Sequence, residues 1–410
     1  MIEIETSEIS PTCIKVIGVG GGGCNAVNRM VESQMKHIEF ITVNTDLQAL
    51  TLSPAHTKIQ IGVQTTRGLG AGTIPEVGEK SAIEDSDAIK EHLTGSHMVF
   101  ITAGMGGGTG TGASPIIAKL ARDLGILTVA VVTRPFTFEG PKKMELAEQG
   151  IKRLSEYVDA ITIIPNQNLL KIIDRKFPLK DAFRLADEVL YQGVKGISDL
   201  ITVPGHMNAD FADIRTIMKS TGEALMGLGS ASGDGKAAKA AEQAITNPLI
   251  DGATMEGAKG ILINVVHDEN VSLYEVEEAV GIITSRADKN ALIKVSTHHD
   301  ENLSDEIKIS VIATGFKRAD LEYARRLRHD QENSAEKPAE DSEDEDESSP
   351  ILSLPGAKKG RIIEIIGNDE LEEDRPENII KEPFKKLSEK FDSASRDHYD
   401  IPAFLRQAGA

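Results

Sequence analysis

The sequence predicts a two-domain α/β protein: a parallel sheet with interleaved helices, a long helix, a smaller second α/β domain and a polar tail. Three observations support this fold class. Strand-like and helical patterns alternate along the first half, two glycine-rich runs each follow a strand-like run, and the composition changes sharply past Arg318. A chain of 410 residues with 40 % hydrophobic residues is long enough to build two cores.

The first domain is predicted from five apolar, strand-like runs that are separated by stretches with helical periodicity. These runs are Ile14–Ile17, Phe40–Val43, Met98–Thr102, Leu127–Thr133 and Ala160–Ile164. Strands joined through helices form parallel sheets, because each helical crossover returns the chain to the same edge. We therefore expect a flexible N-terminus at 1–12 and a nucleotide-binding domain at 13–178.

A long helix and a second domain are predicted next. Apolar residues recur every three or four positions from Phe183 to Ile201, which indicates one buried helical stripe and a central helix at 179–202. A second alternation follows and predicts a smaller α/β domain at 203–317. Its predicted strands are Gly260–Val266, Ala291–Ser296 and Ile307–Ala313, and its predicted helices are Lys236–Ile245 and Tyr274–Ser285.

The remaining chain is predicted to be a disordered acidic linker, 318–396, that ends in a short peptide, 397–410. Between Asp330 and Glu347 acidic residues outnumber every other type, so this stretch cannot bury enough apolar surface to fold. The last residues include the apolar motif Asp400–Arg406 on a polar tail. Such a motif is typical of a peptide that docks on a partner protein.

Two glycine-rich runs predict a polyphosphate site. The runs Gly18–Gly23 and Gly104–Gly112 each follow a predicted strand and precede a helical pattern, expected at Ala26–Val31 and from Ser114-Pro115, with Pro115 in the first helical turn. Without bulky side chains the backbone can approach an anion, and the positive end of each following helix would face it. The alternative is a pair of glycine turns that bind nothing.

Composition excludes several function classes. A net charge of -19 argues against a nucleic-acid partner and against adsorption to an anionic membrane. Cys13 and Cys24 have no metal or redox spacing, so two buried or half-buried thiols in a reducing cytoplasm are expected. Neither a signal peptide nor a membrane-spanning apolar run is evident, so direct membrane insertion is not expected.

A dinucleotide-dependent oxidoreductase is the alternative from another class. Gly18, Gly20 and Gly23 have the spacing of a dinucleotide fingerprint, and Asp46 lies where an acidic ribose ligand is expected. This alternative leaves the second glycine run and the tail peptide without a role. A P-loop lysine motif does not occur in the sequence.

The run Gly106–Gly112 resembles the signature of the FtsZ family, the tubulin-like GTPases of bacterial cell division. The resemblance extends over about 14–316 and resumes at the tail. It implies a tubulin-like Rossmann-type domain, GTP and GDP as ligands with Mg²⁺, and head-to-tail filaments that form the cytokinetic ring. It also implies a cytoplasmic protein at mid-cell, held beneath the membrane by adaptors of the FtsA or ZipA type that bind the peptide 400–406.

The resemblance also implies which residues bind the nucleotide, with no protein ligand contacting the metal directly. These residues are Gly21, Gly22, Gly23, Cys24, Asn25, Gly72, Thr73, Gly107, Gly108, Thr109, Gly110, Glu139, Lys143, Asn166, Phe183 and Asp187. Glu139 and Asn166 would contact ribose, and Asn25 and Asp187 would bind guanine. Phe183 would stack on the base. The alternative prediction is that its side chain packs in the core.

Three positions depart from the family pattern. Lys143 stands where most relatives have a phosphate-contacting arginine, Cys24 replaces a glycine, and Ile74 replaces an asparagine. A lysine keeps the positive charge but loses the forked geometry of arginine. These departures affect the expected affinity and turnover. They do not affect the prediction of the site, because the backbone cradle needs none of the three side chains.

Hydrolysis is assigned to Asn208, Asp210 and Asp213, which follow the central helix. Acids at the start of a helix also serve as simple caps, and a polymer that binds GTP without turnover remains an alternative. At ~1.5 Å per residue, the stretch from Phe183 to Ile201 is about 28 Å long, so these acids cannot reach their own nucleotide. A neighbouring copy stacked head to tail would bring them to it.

Overall fold

The computed structural model describes residues 12–316, apart from 172, 174–175, 206, 220 and 247–254. The predictions for the N-terminal segment, the acidic linker, the tail peptide 400–406 and the whole of 318–410 therefore lie outside the described residues. None of the helices within the described part of the chain is long and apolar enough to cross a membrane.

The first domain is a parallel sheet of seven strands in the order β3-β2-β1-β4-β5-β6-β7. Its strands are β1 (Ile14–Val19), β2 (Ile38–Asn44), β3 (Thr57–Gln60), β4 (Met98–Gly104), β5 (Leu127–Arg134), β6 (Ala160–Pro165) and β7 (Gly222–Glu223). In this order the chain first builds outward from β1 to β3 and then from β4 in the opposite direction. A crevice therefore opens at the carboxyl ends of β1 and β4, where doubly wound sheets bind their ligands.

Helices cover both faces of this sheet, and each face has its own apolar core. The helices are α1 (Gly20–Glu32), α2 (Leu47–Leu52), α3 (Val63–Thr66), α4 (Pro75–Glu84), α5 (Ser86–Leu93), α6 (Thr109–Asp123), α7 (Pro141–Ser155) and α8 (Asn166–Leu169). The strands between them are buried along almost their whole length, as expected for a sheet covered on both sides.

A long helix, α9 (Leu179–Thr202), connects the two domains, and α10 (Phe211–Met218) follows it. The buried stripe of α9 includes Val189, Leu190 and Val194. These side chains share one core with residues of the first sheet and with Leu262 and Ile312 of the second domain. Helix α9 is thus held from both sides by a continuous apolar core.

The second domain is a four-stranded mixed sheet with two helices on one face. Its elements are β8 (Leu225–Ser232), α11 (Lys236–Thr246), β9 (Gly260–His267), α12 (Leu273–Thr284), β10 (Leu292–His299) and β11 (Glu306–Thr314), with the strand order β10-β9-β11-β8. Strand β10 is parallel to β9, and β11 is antiparallel to both of its neighbours. This architecture confirms the predicted α/β class with a long helix and a smaller second domain.

The sequence prediction missed strand β8 because glycines interrupt its apolar pattern. A Cβ atom on Gly227 would lie 1.8 Å from the carbonyl oxygen of Ala244, and one on Gly229 would lie 1.9 Å from that of Ala240. Helix α11 therefore packs directly on the backbone of β8. The two short strands β3 and β7 were missed as well.

We expect Lys236→Ala to destabilise the second domain by about 3 kcal/mol, because it would leave a buried carboxylate without its partner. Lys236 is 4 % exposed, and its Nζ atom lies 3.1 Å from both Asp268 and Asp305. Urea unfolding of the protein measures the loss. The exposed Lys239 on the same helix is the control, and its replacement by alanine should cost less than 1 kcal/mol. Equal effects of the two substitutions would contradict this account.

Candidate functional site

The two glycine runs meet in the crevice between β1 and β4. A Cβ atom on Gly20 would lie 2.7 Å from the backbone nitrogen of Gly110, and Gly20 also has a φ of +71° that side chains disfavour. A Cβ atom on Gly22 would lie 3.3 Å from the backbone of Gly104. The first run therefore packs backbone to backbone against the second, and only glycine permits this approach.

Both runs form the first turns of helices, which corrects the predicted boundaries. Helix α1 begins at Gly20 instead of Ala26, and α6 begins at Thr109, so Pro115 lies inside the helix instead of in its first turn. The first N–H groups of a helix have no partner within it. Because the two helices begin side by side, these N–H groups and the positive helix ends gather at one place, which suits an anion.

A third loop, 70–73, lies against the second glycine run. A Cβ atom on Gly108 would lie 2.8 Å from Cβ of Ala71 and 2.9 Å from the backbone nitrogen of Ile74. Gly72 and Thr73 both have a positive φ, of 57° and 60°, so this loop is tightly turned. Three segments that are distant in sequence thus converge on one cradle.

Open space remains where a ligand would be cradled. A Cβ atom on Gly21, Gly72 or Gly107 would meet no atom of the described chain within 4 Å. Asn166 is 6 % exposed, and its Oδ1 atom has no hydrogen-bond partner among the described residues. A buried polar atom without a partner is costly, so Asn166 fits a position that a bound hydroxyl would satisfy.

Glu139 and Lys143 form an ion pair beside the cradle. The Oε2 atom of Glu139 lies 2.5 Å from Nζ of Lys143, and its Oε1 atom accepts a hydrogen bond from the backbone N–H of Phe136 at 2.8 Å. Lys143 also lines the backbone of Gly106, where a Cβ atom would lie 2.9 Å from its Cγ atom. Lys143 is therefore placed at the second glycine run.

The residues predicted to bind the base lie on α1 and α9, which pack together. Asn25, Phe183 and Asp187 are all half-buried. The ring of Phe183 meets the ring of Phe136 edge to face at 5.4 Å, so part of it belongs to the core. The rest of the ring does not contact Phe136, and its predicted contact with a base stays a prediction.

Asp46 has a structural role that does not support the dinucleotide alternative. Its Oδ1 atom accepts hydrogen bonds from the backbone N–H groups of Gln48 and Ala49, at 2.9 and 3.2 Å, and so caps α2.

Cys24 is fully buried beneath the first run, and burial raises the pKa of its thiol to about 12. The thiol is thus neutral at physiological pH and behaves as a packing residue.

The acidic loop lies after the far end of α9. The Oδ1 atom of Asn208 accepts a hydrogen bond from the backbone N–H of Gly205 at 2.9 Å, and Oδ1 of Asp210 accepts one from the N–H of Asp213 at 2.7 Å. Asp210 therefore caps α10, as the simpler interpretation expected, yet its side chain remains exposed. The Oδ2 atom of Asp213 forms an ion pair with Nζ of Lys294 at 2.7 Å, a contact that sequence reasoning missed.

The structure does not bring the acidic loop to the cradle of the same chain. Phe183 and Asp187 lie near the start of α9, whereas Asn208 follows its end. A helix of 24 residues is about 36 Å long. The glycine runs and the third loop thus form one cradle, and the three polar residues form a second surface at the opposite end of α9.

Two neighbouring histidines lie on a strand of the second sheet. His298 and His299 lie on β10, and His298 is only 5 % exposed because it faces α9 from the sheet. His206, which precedes the acidic loop in sequence, lies outside the described residues. Over the described ranges, no group of three or more His, Cys, Asp or Glu residues is arranged to hold a metal ion.

We expect the protein to lose stability as the pH falls from about 6.5 toward 5, because buried His298 must then accept a proton. Burial lowers the pKa of His298. The charge of Asp199 raises this pKa in part, and the charge of Lys195 lowers it further. The folded state therefore binds this proton less readily than the unfolded state. The contribution of His298 to the free energy of unfolding is complete above the pKa that His298 has in the unfolded chain, and it is lost as the pH falls below that value. Urea unfolding between pH 5 and 8 should show the loss in the wild type and a weaker pH dependence in His298→Gln. An equal pH dependence in both proteins would contradict the assignment.

Comparison with known proteins adds independent information. Residues 13–174 match the Tubulin/FtsZ family, GTPase domain, and residues 222–317 match the FtsZ family, C-terminal domain. An FtsZ dimer from M. jannaschii is 42 % identical, with a TM-score of 0.71, over 74 % of this chain and 88 % of that one. CetZ2 from Haloferax volcanii, at 18 % identity and a TM-score of 0.65 over 80 % of this chain and all of that one, shares the fold.

Proposed function

We propose, from the premise that this chain belongs to the tubulin/FtsZ family of GTPases, that it forms head-to-tail filaments whose subunits complete each other's GTPase sites. The observation that carries this proposal is the separation of the cradle from the acidic loop by the length of α9. Two different surfaces that pair in this way generate an open filament when the repeated contact does not close into a ring.

GTP and GDP are the proposed ligands of the cradle. The N-terminal turns of α1 and α6 would bind the phosphates, Asn166 and Glu139 the ribose, and Asn25 and Asp187 the base. A carboxylate accepts hydrogen bonds from both N1–H and the exocyclic amine of guanine, a pattern that adenine lacks. Mg²⁺ bound to phosphate oxygens would offset their charge.

Exposed apolar side chains in both domains support an interface between copies. Leu69, beside the third loop, is 84 % exposed and Ile74 is 50 % exposed. Leu273 and Tyr274, at the start of α12, are 77 % and 82 % exposed. Large apolar side chains in contact with water commonly mark association surfaces, and burial between subunits would stabilise a filament.

The acidic loop would act on the nucleotide of the next subunit. Asp210 and Asp213 would orient the attacking water and accept its proton, and Asn208 would assist through its amide. Hydrolysis would therefore depend on polymerisation and would in turn weaken the contact that the terminal phosphate supports. Binding without turnover is the competing function.

The cellular role that we propose is a cell-division ring on the inner face of the cytoplasmic membrane. The tail peptide 400–406 would bind adaptors of the FtsA or ZipA type, and the acidic linker would provide reach. The relatives compared above are archaeal, so the proposal is not restricted to bacterial division.

Mixing two inactive variants tests the shared site. Gly107→Val would block the cradle but keep the acidic loop, and Asp213→Asn would do the reverse. Random pairing of equal amounts makes one interface in four competent, so we expect up to about a quarter of the wild-type phosphate release. Co-sedimentation of both variants confirms that they assemble together. A co-assembled mixture with no activity beyond that of its separate components would overturn the proposal.

A further inference from the structure

The acidic loop is fixed along the open edge of the second sheet. Strand β10 is the edge strand, and Met207 pairs with Thr297 across that edge, where the N–H of Thr297 donates to the carbonyl oxygen of Met207 at 3.0 Å. Gly205 approaches the same strand so closely that a Cβ atom would lie 2.1 Å from the carbonyl oxygen of Thr297. The backbone of the loop is therefore held at two points.

This placement brings Lys294 to the acids. The bridge between Met207 and Thr297 is antiparallel, so the chain that continues past Met207 runs back along β10 toward Lys294. There the Nζ atom of Lys294 lies 2.7 Å from Oδ2 of Asp213, in the first turn of α10. The two side chains are 35 % and 30 % exposed, so the pair lies at the boundary between the core and solvent.

The position of Lys294 in its strand is unusual for a lysine. Side chains alternate along a strand, so Lys294 shares a face with Ser296 and His298, which are 0 % and 5 % exposed. The neighbouring strand on this face contributes Leu262, a member of the core around α9. An apolar residue would suit this face better, whereas the lysine directs its charge to one carboxylate.

We propose that Lys294 is a positioning residue for the GTPase reaction: it holds the carboxylate of Asp213 in the orientation needed to act on the neighbouring subunit's nucleotide. The inference rests on the proposed function. With Oδ2 of Asp213 paired to the ammonium, Oδ1 is left to face the water that attacks the phosphate. A fixed carboxylate avoids the loss of rate that follows from a misplaced catalytic group.

A double-mutant cycle tests this role. Lys294→Met removes the ion pair and keeps the length of the side chain, whereas Lys294→Arg keeps the positive charge. We expect Lys294→Met to lower phosphate release per polymerised subunit about tenfold, and Lys294→Arg to recover most of it. In the Asp213→Asn background, Lys294→Met should have no further effect, because the group that it positions is already absent.

Controls separate positioning from folding and assembly. Lys308→Met, on strand β11 of the same sheet, should leave hydrolysis unchanged. Sedimentation with a slowly hydrolysed GTP analogue and thermal unfolding should show that Lys294→Met assembles and folds normally. If the variant is unstable, Lys294→Arg and Lys294→Gln give the same comparison, since only the former retains the pair.

Each outcome of the cycle decides between the two claims. Full hydrolysis by Lys294→Met, with Asp213→Asn inactive, would overturn the role of Lys294 alone. An equal loss from Lys294→Met in both backgrounds would overturn it too, because the lysine would then act independently of Asp213. Full hydrolysis by Asp213→Asn would overturn the proposed function itself.

Discussion

Replacing Asp213 by asparagine is expected to lower GTP hydrolysis by about 10²-fold or more, with filaments that still assemble and then persist. A positioned general base contributes a factor of this order, and an amide cannot accept the proton of the attacking water. Asparagine has the same shape as aspartate, so the start of α10 should stay folded. Filament lifetime should lengthen, because disassembly in this account follows hydrolysis.

Phosphate release and light scattering, followed together after addition of GTP, measure both parts of this expectation. Asp234→Asn is the matched control, since Asp234 is an exposed acid in a turn of the second domain. Normal phosphate release by the Asp213 variant would contradict the catalytic role of the loop. Loss of assembly together with hydrolysis would assign Asp213 to the subunit contact instead.

Gly107→Val is expected to abolish nucleotide binding, with a loss of affinity of 10²-fold or more, while the fold is kept. The backbone of Gly107 lies outside the left-handed region, and a Cβ atom there would meet no described atom within 4 Å. The added side chain would therefore enter the space that we propose for the phosphates of the nucleotide. It would also block the close approach of backbone N–H groups that the anion requires.

Equilibrium binding of a fluorescent guanine nucleotide measures this effect, and thermal unfolding of the nucleotide-free protein tests the fold. The control is Gly281→Val, the same change at a helical glycine whose Cβ position is also open. The control should bind nucleotide normally. Wild-type affinity in the Gly107 variant would mean that the ligand does not occupy the cradle.

Much of the fold was predictable because its signals are local. Buried parallel strands are continuous apolar runs, and the periodic stripe from Phe183 to Ile201 marked the long helix. Strand β8 was missed because glycines interrupt its apolar pattern. These glycines are needed for the close packing of β8 against α11. The starts of α1 and α6 were misplaced because glycine is a poor helix former. In these first turns glycine leaves the backbone N–H groups accessible.

The cradle was predictable in the same way, whereas its supporting contacts were not. Two glycine runs after strands predict an anion site, since the topology brings their ends together. The hydroxyls of Thr45 and Thr109 lie 2.7 Å apart beneath the cradle, and Lys294 reaches Asp213, yet neither pair has a sequence signature. Such contacts depend on packing between distant segments, which the sequence alone does not reveal.

The dependence of specific activity on protein concentration tests the shared site most directly. Phosphate release from GTP with Mg²⁺ is measured in the same cuvette as light scattering, from well below to well above the onset of assembly. A site completed by the neighbouring subunit predicts almost no turnover per molecule at low concentration and a rise that coincides with scattering. A specific activity that stays constant down to the lowest concentration would show that each chain hydrolyses GTP alone, contrary to this account.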